Sequence, residues 1–169
     1  MLLEDKLALV TGAARGLGEA IARRMAAEGA HVLVVDRDLE IAQRVAESIR
    51  AAGGRADADS VDVSDAAAVD ALAARIAASR GNIDILVNNA GISARSKFDE
   101  PGAREAWDRV MSVNLQGVFN VTQAFVPALK RTQGSIVNLS SIVAFGAGIS
   151  SAGYVVAKGG VRSLTQVLA

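Results

Sequence analysis

Cysteine is absent from the 169-residue sequence, and histidine occurs once, as His31. The first absence removes disulfides, thiolate metal sites and cysteine nucleophiles together. The second leaves no histidine cluster to hold a metal, so no metal site is expected, and His31 is read as the start of a strand without catalytic duty. An excess of charge of either sign is also missing, since 18 Lys and Arg balance 18 Asp and Glu. Without a net field, neither nucleic acid nor an anionic membrane surface is an expected partner. No apolar run approaches the length of a membrane span, and Glu4 and Asp5 stand where a secretory leader would be basic. The expected address is cytoplasmic.

What is present reads as one globular domain over residues 1–169, with 51% apolar and 21% charged residues. Short β-branched runs alternate with Ala-rich amphipathic stretches. The strands expected are Leu7 to Val10, His31 to Val35, Ala56 to Val61, Ile83 to Val87 and Ser135 to Leu139. Between them the spacing predicts helices over Leu17 to Glu28, Leu39 to Ala51, Ala66 to Ala78 and about Arg104 to Lys130, with a last one from about Gly153. Pro127 is expected to kink or fray the end of the long helix. Gly29, Gly53-Gly54, Gly81-Asn82 and Gly134 fall just past helices, where a left-handed cap is wanted. Strands such as Leu33-Val34-Val35 are apolar on both faces, which implies a parallel sheet between two helix layers. Right-handed crossovers make this an α/β fold with a doubly wound, Rossmann-type parallel sheet in three layers. Two long loops, Gly91 to Ala103 and Ser141 to Gly153, follow strand C-termini, the edge at which such sheets bind ligands.

The first strand runs into Thr11-Gly12-Ala13-Ala14-Arg15-Gly16-Leu17-Gly18, and a helix follows at once. Unpaired amides and the helix dipole converge there into an anion site that suits a pyrophosphate, although a glycine pattern alone is also what a tight turn needs. Asp36 ends the second strand eighteen residues beyond Gly18, the place of a carboxylate that takes adenosine ribose hydroxyls. Asp38 is the better cap for the next helix, which leaves Asp36 for the ribose. A 2′-phosphate, carrying about −1.5 to −2 charge, would be repelled by that carboxylate, so NAD is the expected cofactor. Arg15 and Arg37 could each turn a guanidinium to a phosphate, and NADP stays open.

Tyr154 and Lys158 are four apart at the start of the last helix and share a face. A free phenol ionises near pH 10, so proton transfer at neutral pH requires about 4 kcal/mol from nearby positive charge. Lys158 and an oxidised nicotinamide are the two sources at hand. Ser140 and Ser141 end the fifth strand, where a hydroxyl either caps the loop or donates to a substrate oxygen as charge develops.

Together these residues resemble the short-chain dehydrogenases/reductases in their smaller, single-domain form. Thr11 to Gly18 is similar to that family's cofactor turn, including Gly12, Arg15, Gly16, Leu17 and Gly18, and Asp62-Val63 is similar to its adenine contact. Asn88-Asn89-Ala90-Gly91 resembles its central-strand motif, and Asn114, Ser141, Tyr154 and Lys158 fall at the spacings of its catalytic tetrad. The resemblance implies Tyr154 as acid/base, Ser141 orienting the carbonyl, and Lys158 holding the nicotinamide ribose. It further implies Asn114 as anchor of a water leading from the lysine to solvent. It also implies a homodimer or homotetramer packed through the long helix and the tyrosine helix.

The sequence ends at Val167-Leu168-Ala169 inside an apolar helical pattern without a stop signal, so the chain is expected to be truncated at its C-terminus, short of the family's last strands. A dinucleotide-binding remnant without turnover is therefore the alternative to an enzyme. The expected substrate is a secondary alcohol or ketone, with a 3-oxoacyl thioester reduced by NADPH as the other candidate. Val143, Phe145 and Ile149 would offer it an apolar wall, and Arg95 and Lys97 either meet an anionic tail or are solvated.

Overall fold

A computed structural model of the chain describes residues 1–94, 96–146 and 150–169. Five strands, β1 (Leu7–Thr11), β2 (His31–Asp36), β3 (Arg55–Ser60), β4 (Ile85–Asn88) and β5 (Ser135–Asn138), pair in parallel in the order β3-β2-β1-β4-β5. The helices are α1 (Gly16–Ala27), α2 (Leu39–Ala51), α3 (Ala66–Ser79), α4 (Ala103–Met111), α5 (Gly117–Thr132) and α6 (Ala152–Leu168).

The all-apolar strands are explained by two separate cores. Successive side chains on a strand point to opposite faces. Leu7, Leu9, Leu33, Val35 and Leu86 pack on one side with Val69, Leu72, Ile76, Val121 and Phe125 of α3 and α5. Ala8, Val10, Val32, Val34 and Val87 pack on the other with Ala22, Ala26, Ala42, Val45 and Ile49 of α1 and α2. The small alanines let α1 and α2 lie close to the sheet. Strand order reverses between β1 and β4, and ligands of doubly wound sheets bind beside such a switch.

Two expectations change. The long helix is interrupted: α4 and α5 are joined by one π-helical turn, Ser112–Gln116, centred on Asn114. Pro127 lies inside α5, which continues to Thr132. The left-handed cap of α5 is Gln133 (φ 52), and Gly134 serves close approach instead, since a Cβ there would stand 2.3 Å from the Asp84 carbonyl oxygen. His31 does open β2, with Nε2 2.7 Å from Asp57 Oδ2 on β3. No helix of the described residues is long and apolar enough to cross a membrane.

Candidate active site

The glycine turn closes over the C-terminal ends of β1 and β4. Gly12 (φ 63) has no room for a side chain, since a Cβ would lie 2.7 Å from the Ala90 Cα, and at Gly18 a Cβ would meet the Gly12 carbonyl oxygen at 2.2 Å. At Gly16 (φ 60), by contrast, a Cβ would meet nothing within 4 Å. The turn is thus tight behind and open in front. Beside the turn lies a cleft of about 390 Å³ lined by Gly12, Arg15, Leu17, Gly18, Asp36, Arg37, Asp62, Val63, Asn89, Ala90 and Gly91, with Val61, Ile92 and Val113 completing it, whereas Gly16, Tyr154 and Lys158 are not part of its lining. Sequence reasoning named the first eleven, and the fold brings all of them to one place. No side chain caps α1, so its first amides remain available toward the cleft.

Asp36 faces this cleft with both oxygens oriented: Oδ2 accepts the Ala14 N–H at 3.1 Å and Oδ1 the Asp38 N–H at 3.2 Å. Asp38 caps α2 as expected, its Oδ1 accepting the Ile41 N–H at 3.2 Å, while its Oδ2 lies 3.4 Å from the Arg15 guanidinium. At the far wall the Ser64 hydroxyl and amide, with Arg37 nearby, hold the Asp62 carboxyl below its ordinary 3.8.

Support behind the turn comes from residues the sequence did not single out for that role. Thr11 Oγ1 accepts the N–H groups of both Asn89 and Ala90 at 3.1 Å, and Asn89 Nδ2 donates to the carbonyls of Thr11 and Gly12 at 2.9 and 3.0 Å. Asn120 Nδ2 fixes the Val63 carbonyl at 3.0 Å. Deeper in the sheet, Asn88 Nδ2 donates to Thr122 Oγ1 (3.0 Å) and to Asn138 Oδ1 (2.8 Å), and Asn138 Nδ2 reaches Thr165 Oγ1 on α6 at 3.0 Å. A polar residue at a strand end in an otherwise apolar run is the only sequence signal for this chain of amides.

Lys158 is the one charged side chain buried among the described residues. Its Nζ donates to the Leu139 carbonyl at 2.5 Å and stands 5.8 Å from the centroid of the Tyr154 ring. Burial holds its ammonium below the ordinary 10.5. The two serines divide their tasks. Ser140 Oγ donates to the Lys158 carbonyl at 2.8 Å, tying the end of β5 to α6. Ser141 Oγ accepts the Val143 N–H at 3.3 Å, which leaves its own O–H as a donor. Asn114 is fully buried and spends its amide on one residue, accepting the Ile92 N–H at 2.8 Å and donating to the Ile92 carbonyl at 2.9 Å. The π turn aims it there, and such turns recur at functional sites.

A larger concavity, about 520 Å³, lies between residues 96–100 and the starts of α4 and α6. Lys97 on its rim is paired with Glu100 at 3.5 Å, and the charged lining, Lys97 and Arg104 against Asp99, Glu100 and Glu105, is net acidic. The Phe145 ring lies against Arg162. Arg95 and Ile149 lie outside the described residues.

The fold is a doubly wound parallel sheet with a glycine turn at its switch point, and its site sets a buried lysine beside a tyrosine. The chain belongs to the short-chain dehydrogenase family, whose model matches residues 6–169. It is 40% identical over 167 residues to a 2,3-dihydro-2,3-dihydroxybenzoate dehydrogenase of Bacillus subtilis, covering 98% of this chain and 64% of that protein. It is 38% identical over 170 residues to the 3-oxoacyl-(acyl-carrier-protein) reductase FabG of Thermotoga maritima, covering 100% of this chain and 69% of that one. Among solved structures, a gluconate 5-dehydrogenase from Burkholderia cenocepacia in complex with NADP and tartrate superposes with a TM-score of 0.91 at 41% identity, over 98% of this chain and 65% of its own. The chain thus spans about two thirds of the length of these relatives.

Proposed function

We propose that residues 1–169 act as one NAD-binding domain of an oxidoreductase that interconverts a secondary alcohol and a ketone. The observation that carries the reading is the buried Lys158 ammonium beside the Tyr154 ring at the C-terminal edge of the sheet. A buried charge is expensive unless it is paired, and a cation there stabilises negative charge as the phenol gives up its proton. A dinucleotide in the cleft is supported by the close backbone approach at Gly12 and Gly18 and by Asp36, whose two oxygens are oriented by main-chain donors. Gly12, Arg15, Gly16, Leu17 and Gly18 would hold the pyrophosphate, Asp36 and Arg37 the adenosine ribose, Asp62 and Val63 the adenine. Asn89, Ala90 and Gly91 would line the middle of the cleft.

When bound, the nicotinamide supplies the hydride acceptor or donor. In the oxidative direction the Tyr154 phenolate would take the alcohol's hydroxyl proton, which frees the O–H electron pair for the C=O bond. Ser141, its acceptor side engaged by Val143, donates its O–H to the same oxygen. Lys158 would exchange the Leu139 carbonyl for the ribose hydroxyls, and Asn114 would hold the water through which its proton reaches solvent. Action in the cytoplasm as a homodimer or homotetramer belongs to the same proposal and rests on family resemblance.

A second reading, reduction of a 3-oxoacyl thioester with NADPH, is favoured by the name of the Thermotoga relative and by Arg15 and Arg37 on the cleft. Calorimetric titration of the purified chain with NAD and NADP, followed by a ketone and alcohol panel, tests both. Tighter NAD binding with turnover of an alcohol supports the first reading. Tighter NADP binding with thioester reduction supports the second, and binding without any turnover leaves the remnant.

A further inference from the structure

We infer that Arg162 is a positioning residue for Ser141, acting through the ring of Phe145. The inference rests on the role proposed for Ser141 above, and the geometry on both sides of that serine carries it. Ser141 opens a short 3₁₀ turn, Ile142–Ala144, from an extended backbone. Its carbonyl accepts the Ala144 N–H and the Ile142 carbonyl the Phe145 N–H, both at 3.0 Å, while Oγ accepts the Val143 N–H. The direction of the Ser141 hydroxyl therefore depends on the turn being closed.

So short a turn has little cohesion of its own, and it ends on a ring that is 75% exposed. The Arg162 guanidinium stands 4.7 Å from the centroid of that ring. An exposed aromatic gains a cation–π attraction of this kind only if it stays over the charge. Arg162 follows Lys158 by four residues, as Lys158 follows Tyr154, so the three share one face of α6. On the other side of Ser141, Ser140 is tied to the Lys158 carbonyl. Ser141 is thus bracketed by two attachments to α6, about 6 Å apart along the helix. The helix that carries Tyr154 and Lys158 also sets the place of the serine that must work with them.

The test uses the whole chain with Arg162→Gln and Arg162→Lys. Amide exchange by NMR should be about threefold faster at Val143, Ala144 and Phe145 in Arg162→Gln, the size of an exposed cation–π contact, with β1 and β4 unaffected. Arg162→Lys, which keeps the cation, should recover most of the protection. In turnover, Arg162→Gln should lower kcat by a similar factor without raising KM for the cofactor, and should have no further effect on a Ser141→Ala background. Unchanged exchange in Arg162→Gln overturns the inference, as does a rise spread evenly through α6 and the sheet, or a kcat loss that persists in full on Ser141→Ala. If the unsubstituted chain turns over nothing, the proposed function fails, and the exchange rates alone decide whether Arg162 holds the turn.

Discussion

The carboxylate of Asp36, at the end of β2, accepts the N–H of Ala14 in the glycine turn at 3.1 Å. One side chain therefore shapes the turn and faces the cleft that the turn lines. Asp36→Ala removes the acceptor for both Ala14 and Asp38, at a cost of about 1 to 3 kcal/mol for each donor left buried. NAD affinity should fall at least tenfold, and the ratio of NADP to NAD affinity should rise because the repelling charge is gone. Titration calorimetry with both cofactors, beside a thermal melt, measures the two effects. An unchanged NADP to NAD ratio would remove Asp36 from the ribose.

Two glycines of the same turn should respond oppositely. Gly18→Ala drives a Cβ against the Gly12 carbonyl and should prevent normal folding. Gly16→Ala meets no atom, so only the left-handed backbone costs anything, about 1 to 2 kcal/mol. Strain in the turn that would hold the pyrophosphate should lower dinucleotide affinity tenfold or more while far-UV circular dichroism is retained.

Asn114→Ala strips both partners from the Ile92 main chain. Two unsatisfied polar groups predict a loss of about 2 to 5 kcal/mol in urea unfolding. Asn114→Asp keeps the acceptor for the Ile92 N–H but sets a carboxylate oxygen against the Ile92 carbonyl, and it should be no better. A loss below about 0.5 kcal/mol would mean that the π turn is held by its backbone alone.

Lys158 imposes a pH dependence with a definite sign. Burial lowers its pKa in the folded chain below 10.5, so between the folded value and 10.5 the unfolded chain binds more protons. Stability from this group therefore rises with pH through that window and is flat below it. Lys158→Met lacks the effect. The free energy of unfolding of the native chain minus that of Lys158→Met should increase as pH approaches 10.5, read by denaturant titration at several pH values. A difference that stays level or falls would show that Lys158 is not desolvated.

Helix α2 was legible because Asp38, with Ile41 one turn on, is a local signal, and local signals survive folding. The interruption at Asn114 was not. The spacing of apolar residues through Met111, Val113 and Leu115 suits an unbroken helix, and the π turn exists because a buried amide finds Ile92 on another segment. Gly134 shows the same limit: glycine was expected for its φ, but the reason for it is the Asp84 carbonyl 2.3 Å from where a Cβ would be.

By itself the sequence determined the alternation of strands and helices, the parallel sheet and the residues gathered on the glycine turn. Those depend on periodicity and on neighbours along the chain. Which hydroxyl of Ser140 and Ser141 stays free, what Asn89 and Asn120 support, and how Lys158 comes to be buried beside Tyr154 were decided only by the tertiary structure. A hydrogen bond across the sheet, such as Asn88 to Asn138 at 2.8 Å, joins residues far apart in sequence. Its partner is chosen by the packing of two cores, which no local window contains.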